Sequence, residues 1–196
     1  MEAMYIIQQN VFLIQAKSNH MKRAIITWVV VLLTININSS WAQSALQYYK
    51  GGHTFDIGLP AYMSRTMGLN SAASIQYKSV VKDVYGFVIC DTKEDLSLAE
   101  MKFSSINEFY EDFINSFLTQ EENRNVSKPV QQKKGDIHFI ESDVVYFDKD
   151  AKTDIYYLVG IVETKKAFYK VLSWAVAENK DKFKADFQKI LYSLKD

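Results

Sequence analysis

Residues 154–177 read Asp-Ile-Tyr-Tyr-Leu-Val-Gly-Ile-Val-Glu-Thr-Lys-Lys-Ala-Phe-Tyr-Lys-Val-Leu-Ser-Trp-Ala-Val-Ala. Two runs rich in β-branched and aromatic residues, 154–164 and 167–177, flank a tight turn at Lys165-Lys166. That is the pattern of a β-hairpin, and so short a turn imposes antiparallel pairing. The first run is apolar at successive positions, so both of its faces need cover. In the second, Phe168, Leu172 and Trp174 share one face, and Tyr169 and Val171 the other. A hairpin apolar on both sides belongs in the middle layer of a domain.

The flanking segments supply that cover. Residues 84–91 are also apolar on both faces, which predicts a central strand. Residues 73–81 alternate, with Ile75, Tyr77 and Val81 on one face, and Lys82-Asp83 turns the chain between the two. Residues 53–59 alternate through Phe55, Ile57 and Leu59 until Pro60 stops the run. Residues 43–52 show no period and read as a lead-in. Residues 62–70 are Met-rich and ambiguous, with Gly68 and Asn70 marking a turn. After a polar connector with some helical character at 92–103, Ser105 and Glu108 fit a capping box. The helix that follows carries a stripe of Ile106, Phe109, Tyr110, Phe113, Phe117 and Leu118. Residues 120–127 read as a charged loop, ended by Pro129. Residues 130–134, 136–141 and 143–147 read as two or three short strands, and 148–154 as a polar loop. A closing helix, capped by Asn179 or Asp181, presents Phe183, Phe187, Ile190, Leu191 and Leu194. The expected fold is α+β: a mostly antiparallel sheet of about six to seven strands covered by helices, an α/β/α sandwich, in a single domain over 43–196.

The N-terminal part has a different character. Lys22 and Arg23 precede ten apolar residues, 24–33, and small residues Ser40 and Ala42 stand before Gln43. These are the n-region, h-region and cleavage site of a secretory signal over 21–42, cut between Ala42 and Gln43. Ten apolar residues fall short of the roughly 20 that span a bilayer, so no stable transmembrane segment is expected after cleavage; a retained interfacial anchor is the alternative. Residues 1–20 fit no n-region, and Met21 is the expected start, which makes 1–20 a spurious extension. Cutting after Ala42 removes Lys17, Lys22, Arg23 and Glu2, leaving 154 residues with 20 bases and 22 acids, a net charge of −2. The whole chain has 23 bases and 23 acids. Neither count suits a nucleic-acid binder held by a basic surface. Cys90 is the single cysteine, so the domain has no intrachain disulfide and must rely on its core.

Three places carry a family resemblance. They are the opening Phe55-Asp-Ile-Gly-Leu-Pro60, the hairpin from Tyr156 to Trp174, and the closing Phe187-Gln-Lys-Ile-Leu-Tyr-Ser-Leu194. In these the chain resembles the PsbP-like and DcrB-like group of α/β/α proteins. It departs from that group at Leu194, where an aromatic is common, and at Lys165-Lys166, where Asn-Gly is usual. The resemblance implies a mostly antiparallel sheet with helices on both faces. It also implies a non-enzymatic interaction role, since members are mostly extrinsic or accessory proteins, and it assigns no site residue.

Candidate chemistry is sparse. Cys90 would need a base such as His53 or His138, and its apolar strand reads more simply as core. The two histidines lie far apart in sequence, without ligand partners at metal-binding spacing. The loop 148–154 has acids at calcium-loop positions 1, 3 and 7, but Thr153 replaces the turn glycine and Val159 the bidentate Glu. The acidic pairs Glu94-Asp95, Glu111-Asp112 and Glu121-Glu122 read as solvated faces, and Lys128, Lys133 and Lys134 make too small a patch for nucleic acid. No catalytic motif is present, and neither cofactor nor metal is expected. Twelve Tyr and twelve Phe are the unusual feature. Tyr48-Tyr49 and above all Tyr156, Tyr157 and Tyr169 are candidate binding aromatics, or else they fill the core. The expectation is an exported protein, periplasmic or secreted, that is not an enzyme and serves as an accessory or interaction protein for an unknown protein partner. The alternative is a carrier of a small apolar or lipid-like ligand; a cryptic hydrolase is a third class.

Overall fold

The computed structural model describes residues 45–52 and 54–196. Segments 1–20 and 21–42, the Ala42–Gln43 cleavage site and His53 lie outside the described residues. The deciding hairpin is strand β9 (Thr153–Glu163) paired with β10 (Ala167–Val176), with Val171 opposite Gly160. Upstream come β1 (Leu46–Gly51), β2 (Phe55–Pro60), β3 (Ser64–Thr66), β4 (Ile75–Ser79) and β5 (Val84–Thr92). They are followed by α1 (Lys93–Leu98), α2 (Ile106–Ser116), β6 (Glu122–Val126), β7 (Val130–Lys134) and β8 (Ile137–Asp148). Helix α3 (Lys180–Ser193) follows β10 through a 3-10 turn.

All pairings are antiparallel. β1 and β2 form a hairpin of their own, and the main sheet runs β3-β4-β5-β10-β9-β8, with β6 and β7 both on the outer edge of β8. The fold is the expected α+β sandwich, with eight strands in the sheet where about six to seven are expected. The additions are short and polar. β6 (Glu-Asn-Arg-Asn-Val) occupies the expected loop 120–127 and carries a bulge, with Asn123 at φ 55°. It has no apolar alternation because its sides are largely in solvent. β1 likewise replaces the expected lead-in, since pairing with β2 holds it rather than a buried face. The expected fragments 136–141 and 143–147 are one twelve-residue strand, β8; buried Glu141, Ser142 and Asp143 interrupt its apolar pattern but not its hydrogen bonding. Val81 lies in the β4–β5 turn and is 97% exposed, not on the strand's inner face.

The core has two layers. On one face, Phe183, Phe187, Ile190 and Leu191 of α3 and Leu194, which follows the helix end rather than lying on it as expected, pack with Phe55, Ile57 and Leu59 of β2 against Tyr77, Val88, Phe139, Tyr156 and Tyr169. On the other, Ile106, Phe109, Tyr110 and Ile114 of α2 pack on Ile140, Val144, Val159, Ile161, Phe168 and Leu172. The α2 cap is the expected one: Ser105 Oγ accepts from the Glu108 N–H at 3.3 Å, while the Glu108 carboxylate reaches back to the N–H of Ser104 at 2.7 Å. The helix stops at Ser116, before Phe117 and Leu118, and Leu118 takes φ 56°. Arg124 of β6 then donates to the carbonyls of Phe117 and Ile114 at 2.8 and 2.6 Å, satisfying that helix end.

Gly86 permits a close contact between strands. The Tyr77 ring lies across it, and the Tyr77 hydroxyl bonds Ser173 Oγ on the next strand at 2.8 Å. A Cβ on Gly86 would sit 2.3 Å from the Tyr77 ring and 2.6 Å from the Leu172 carbonyl oxygen. Gly86→Ala is therefore expected to cost about 2–3 kcal/mol, at the upper end for overpacking, as measured by urea unfolding.

Candidate binding surface

The three candidate tyrosines do not converge. Tyr156 is buried beneath α3, where its hydroxyl donates to Asp143 Oδ1 at 2.9 Å. Tyr169, on the same face, is also buried, set edge-on to Phe55 with its hydroxyl 3.2 Å from Asp196 Oδ2. Tyr157, one position along β9 from Tyr156, points to the opposite face and is half-buried. Alternation along a strand forces this split. Tyr48 is 57% exposed on the separate β1–β2 hairpin.

Tyr157 belongs to a different aromatic array. Across β5, β10 and β9 the residues Tyr85, Trp174 and Tyr157 are register partners in one row. Their rings stack at 5.6 Å and 5.2 Å, each pair 21° from parallel. Phe87 meets Trp174 edge-on at 5.7 Å, and Phe117 meets Tyr157 at 5.4 Å. All five are half-buried. α2 packs on β8 and β9 and covers Phe168 and Leu172 of β10, leaving the same face of β4 and β5 and the Trp174 end of β10 as a shelf. Gln76, Lys78, Tyr85, Phe87, Ile89 and Trp174 make up that shelf, each partly exposed. Lys170 edges it, paired with Asp91 at 2.7 Å and set over the Phe109 ring at 5.1 Å. The indole N–H of Trp174 donates to no described residue. Sequence reading missed Tyr85 and Phe87. Their alternation along β5 is visible, but their place beside Trp174 depends on a pairing more than eighty residues long-range.

The remaining candidates form no reactive group. Cys90 and His138 lie on opposite faces of the sheet, as the β5–β10–β9–β8 register shows. Burial pushes the Cys90 thiol up, against weaker lowering by hydrogen bonds to Thr54 and Tyr169, so at neutral pH it stays a thiol. In the loop 148–154, Asp148 Oδ1 accepts the N–H groups of Asp150 and Ala151 at 2.9 and 2.8 Å, which is a turn rather than an ion cradle. Among the described residues no group of three or more His, Cys, Asp or Glu is placed to hold a metal. His138 lines a polar cleft of about 230 Å³ with Lys93, Glu163 and Lys165. A second cleft, about 160 Å³, opens beside α1 against Leu96, Phe103 and Phe168. Both are smaller than the roughly 300–1,000 Å³ that houses drug-sized ligands.

Beneath α3 lies a polar row. Asp143 Oδ2 accepts from Lys180 and Lys184 at 2.8 and 2.7 Å, and Glu141 Oε1 accepts from Gln188 at 2.6 Å. Glu141 Oε2 and the Tyr192 hydroxyl are buried without a hydrogen-bond partner among the described residues. Burial and the Glu141 carboxylate both push the Tyr192 hydroxyl up. Burial alone would raise Asp143, but hydrogen bonds from Lys180, Lys184 and Tyr156 outweigh it and hold the carboxyl below its usual range. A depressed carboxyl favours the folded state when ionised. Its contribution is present above the ordinary value of about 4 and is lost as pH falls through the lower folded value. Asp143→Asn is expected to cost about 1–2 kcal/mol at pH 7, less than a fully buried pair because both lysines are partly solvated. It should also flatten the acid limb of stability, as read by urea titration at pH 7 and pH 3.

No protein-family model matches the chain, and no curated protein matches it. Solved structures do. Cyanobacterial PsbP (CyanoP) from Synechocystis sp. PCC 6803 aligns with TM-score 0.50 and 14% identity, over 80% of this chain and 95% of that one. LpqN of Mycobacterium tuberculosis, described as involved in cell envelope biogenesis, aligns with TM-score 0.48 and 10% identity, over 81% and 95%. PA94 of Pseudomonas aeruginosa, a protein of unknown function, gives 0.45 and 7%, over 74% and 92%. The similarity to CyanoP is one of fold: the chain has a PsbP-like fold.

Proposed function

We propose that this chain is an exported, non-enzymatic accessory protein that acts by binding a protein partner on the shelf of β4, β5 and β10. The observation that carries the reading is the row Tyr85–Trp174–Tyr157, which stays partly in solvent on the central strands of the sheet. Large aromatics with polar tips, rimmed by Lys78 and Gln76, have the composition of an interface core. The PsbP-like fold supports an accessory role, and the signal-like segment 21–42 supports export to a periplasm or the exterior. Among the described residues no helix is long and apolar enough to cross a membrane. The two clefts among the described residues are small, which supports partner binding over carriage of a lipid-like ligand.

The test is cross-linked capture from the native envelope and culture fluid with the tagged full chain. A saturable partner is expected with the wild type, and at least a tenfold weaker yield with Tyr85→Ala plus Trp174→Ala that still melts cooperatively. A retained set identical to that of denatured bait would overturn the reading. Export is checked on the same material: the released protein is expected to begin at Gln43.

A further inference from the structure

We infer that the shelf accepts an amphipathic α-helix of a partner protein, laid beside α2, with an acidic residue on its flank. The inference rests on the partner-binding reading and names the partner's form. Three observations point to it. The first concerns backbone bonding. The shelf is a sheet face, and the strands beneath it are already paired on both sides: β4 with β3 and β5, β5 with β4 and β10, β10 with β5 and β9. A strand laid on that face would find no backbone partners, whereas a helix bonds its own backbone and needs only an apolar floor. The second concerns width. At the Lys78–Tyr85–Trp174 row, three strands at about 4.8 Å give a floor of roughly 14 Å, enough for one helix of about 10–12 Å. α2 already fills the neighbouring position over β8, β9 and the Phe168–Leu172 part of β10, so a second helix over β4, β5 and the Trp174 end of β10 completes the layer, with Lys170 and the α2 aromatics as its side wall.

The third concerns charge and donors. Lys78 stands in register with Tyr85 on the shelf and, unlike Lys170, pairs with no carboxylate among the described residues. Lys78 and the Trp174 N–H, which donates to no described residue, supply donors at the shelf, while the neighbouring Asp83 carboxylate is already engaged by the Tyr85 hydroxyl. A helix with apolar residues at i, i+3, i+4 and i+7 and an Asp or Glu beside that stripe meets both requirements.

Two phage libraries, one of amphipathic helices and one of extended proline-rich peptides, would be selected together on the full chain. Enrichment of helices carrying an acidic flank is expected. Their affinity should fall at least tenfold on Tyr85→Ala, and Lys78→Glu should invert the preference from acidic to basic flanks. Tyr85 and Lys78 are partly exposed, so both variants keep the core, and a thermal melt checks this. Enrichment of the extended library, loss of all helical binders, or helices indifferent to both substitutions would overturn the inference. If native capture depends on Tyr85 and Trp174 while no helix is selected, the partner-binding reading stands and the helix falls. If selected helices map to the shelf while native capture ignores it, the functional reading falls instead.

Discussion

Everything in this domain follows from a hairpin that is apolar on both faces. β9 and β10 bury Tyr156, Leu158, Tyr169 and Val171 on one side and Val159, Ile161, Phe168 and Leu172 on the other. Such strands cannot face water on either side, so the chain must provide two covers from few elements. On one side it succeeds with α3 and the β1–β2 hairpin, joined by the backbone bridge of Asp56 and Lys195. Gly58 accommodates the approach, with Ser193 Oγ accepting its N–H at 2.7 Å. On the other side α2 is eleven residues long and α1 only six. Together they are too little for an eight-stranded sheet.

The seating of α3 shows how one helix is fixed in place on a strand. Lys180, Lys184, Gln188 and Tyr192 form an i, i+4, i+8, i+12 row, one residue per turn on one side of the helix. They meet Asp143, Glu141 and Phe139, alternate residues of β8 on one face. Four helical residues rise about 6 Å and two strand residues about 6.8 Å, so from Lys184 to Tyr192 the rows stay in step over about two turns, and Lys180 adds a second contact to Asp143. Apolar packing alone tolerates sliding by a turn. Charged and amide partners do not, because a shift would strand a buried carboxylate.

What could be read from the sequence was what depends on local pattern. The central hairpin, β5, both long helices, the Ser105 cap and the two-sided burial are all period-2 or period-3.6 signals between nearby residues. β1, β6 and the continuity of β8 escaped, because edge pairing and buried polar partners leave no hydrophobic period. Tyr156, Tyr157 and Tyr169 were conspicuous as tyrosines, yet their neighbours in sequence say little about their neighbours in space. Two of them are core residues whose hydroxyls are spent on Asp143 and Asp196. The shelf needed the register between β5 and β10, which places Tyr85 beside Trp174, and no local pattern encodes that.

The exposed aromatics do not make the free protein unstable, and this explains how such a shelf persists. A lone exposed Trp gains nothing from the fold, but Tyr85, Trp174 and Tyr157 shield one another's faces, each pair adding about 0.5–1.5 kcal/mol beyond area burial. Their outer edges and polar tips are what remain in solvent. Tyr85 is further tied by donating to Asp83 at 2.8 Å. The row is therefore preorganised before any partner arrives, and a docking helix need not order these side chains on binding. The same stacking limits the surface: flat ring faces are already used, so recognition runs through edges, the Trp174 N–H and the Lys78 ammonium. A sheet face short of helical cover, held rigid by its own stacked rings, is suited to completing its layer with an element from another chain.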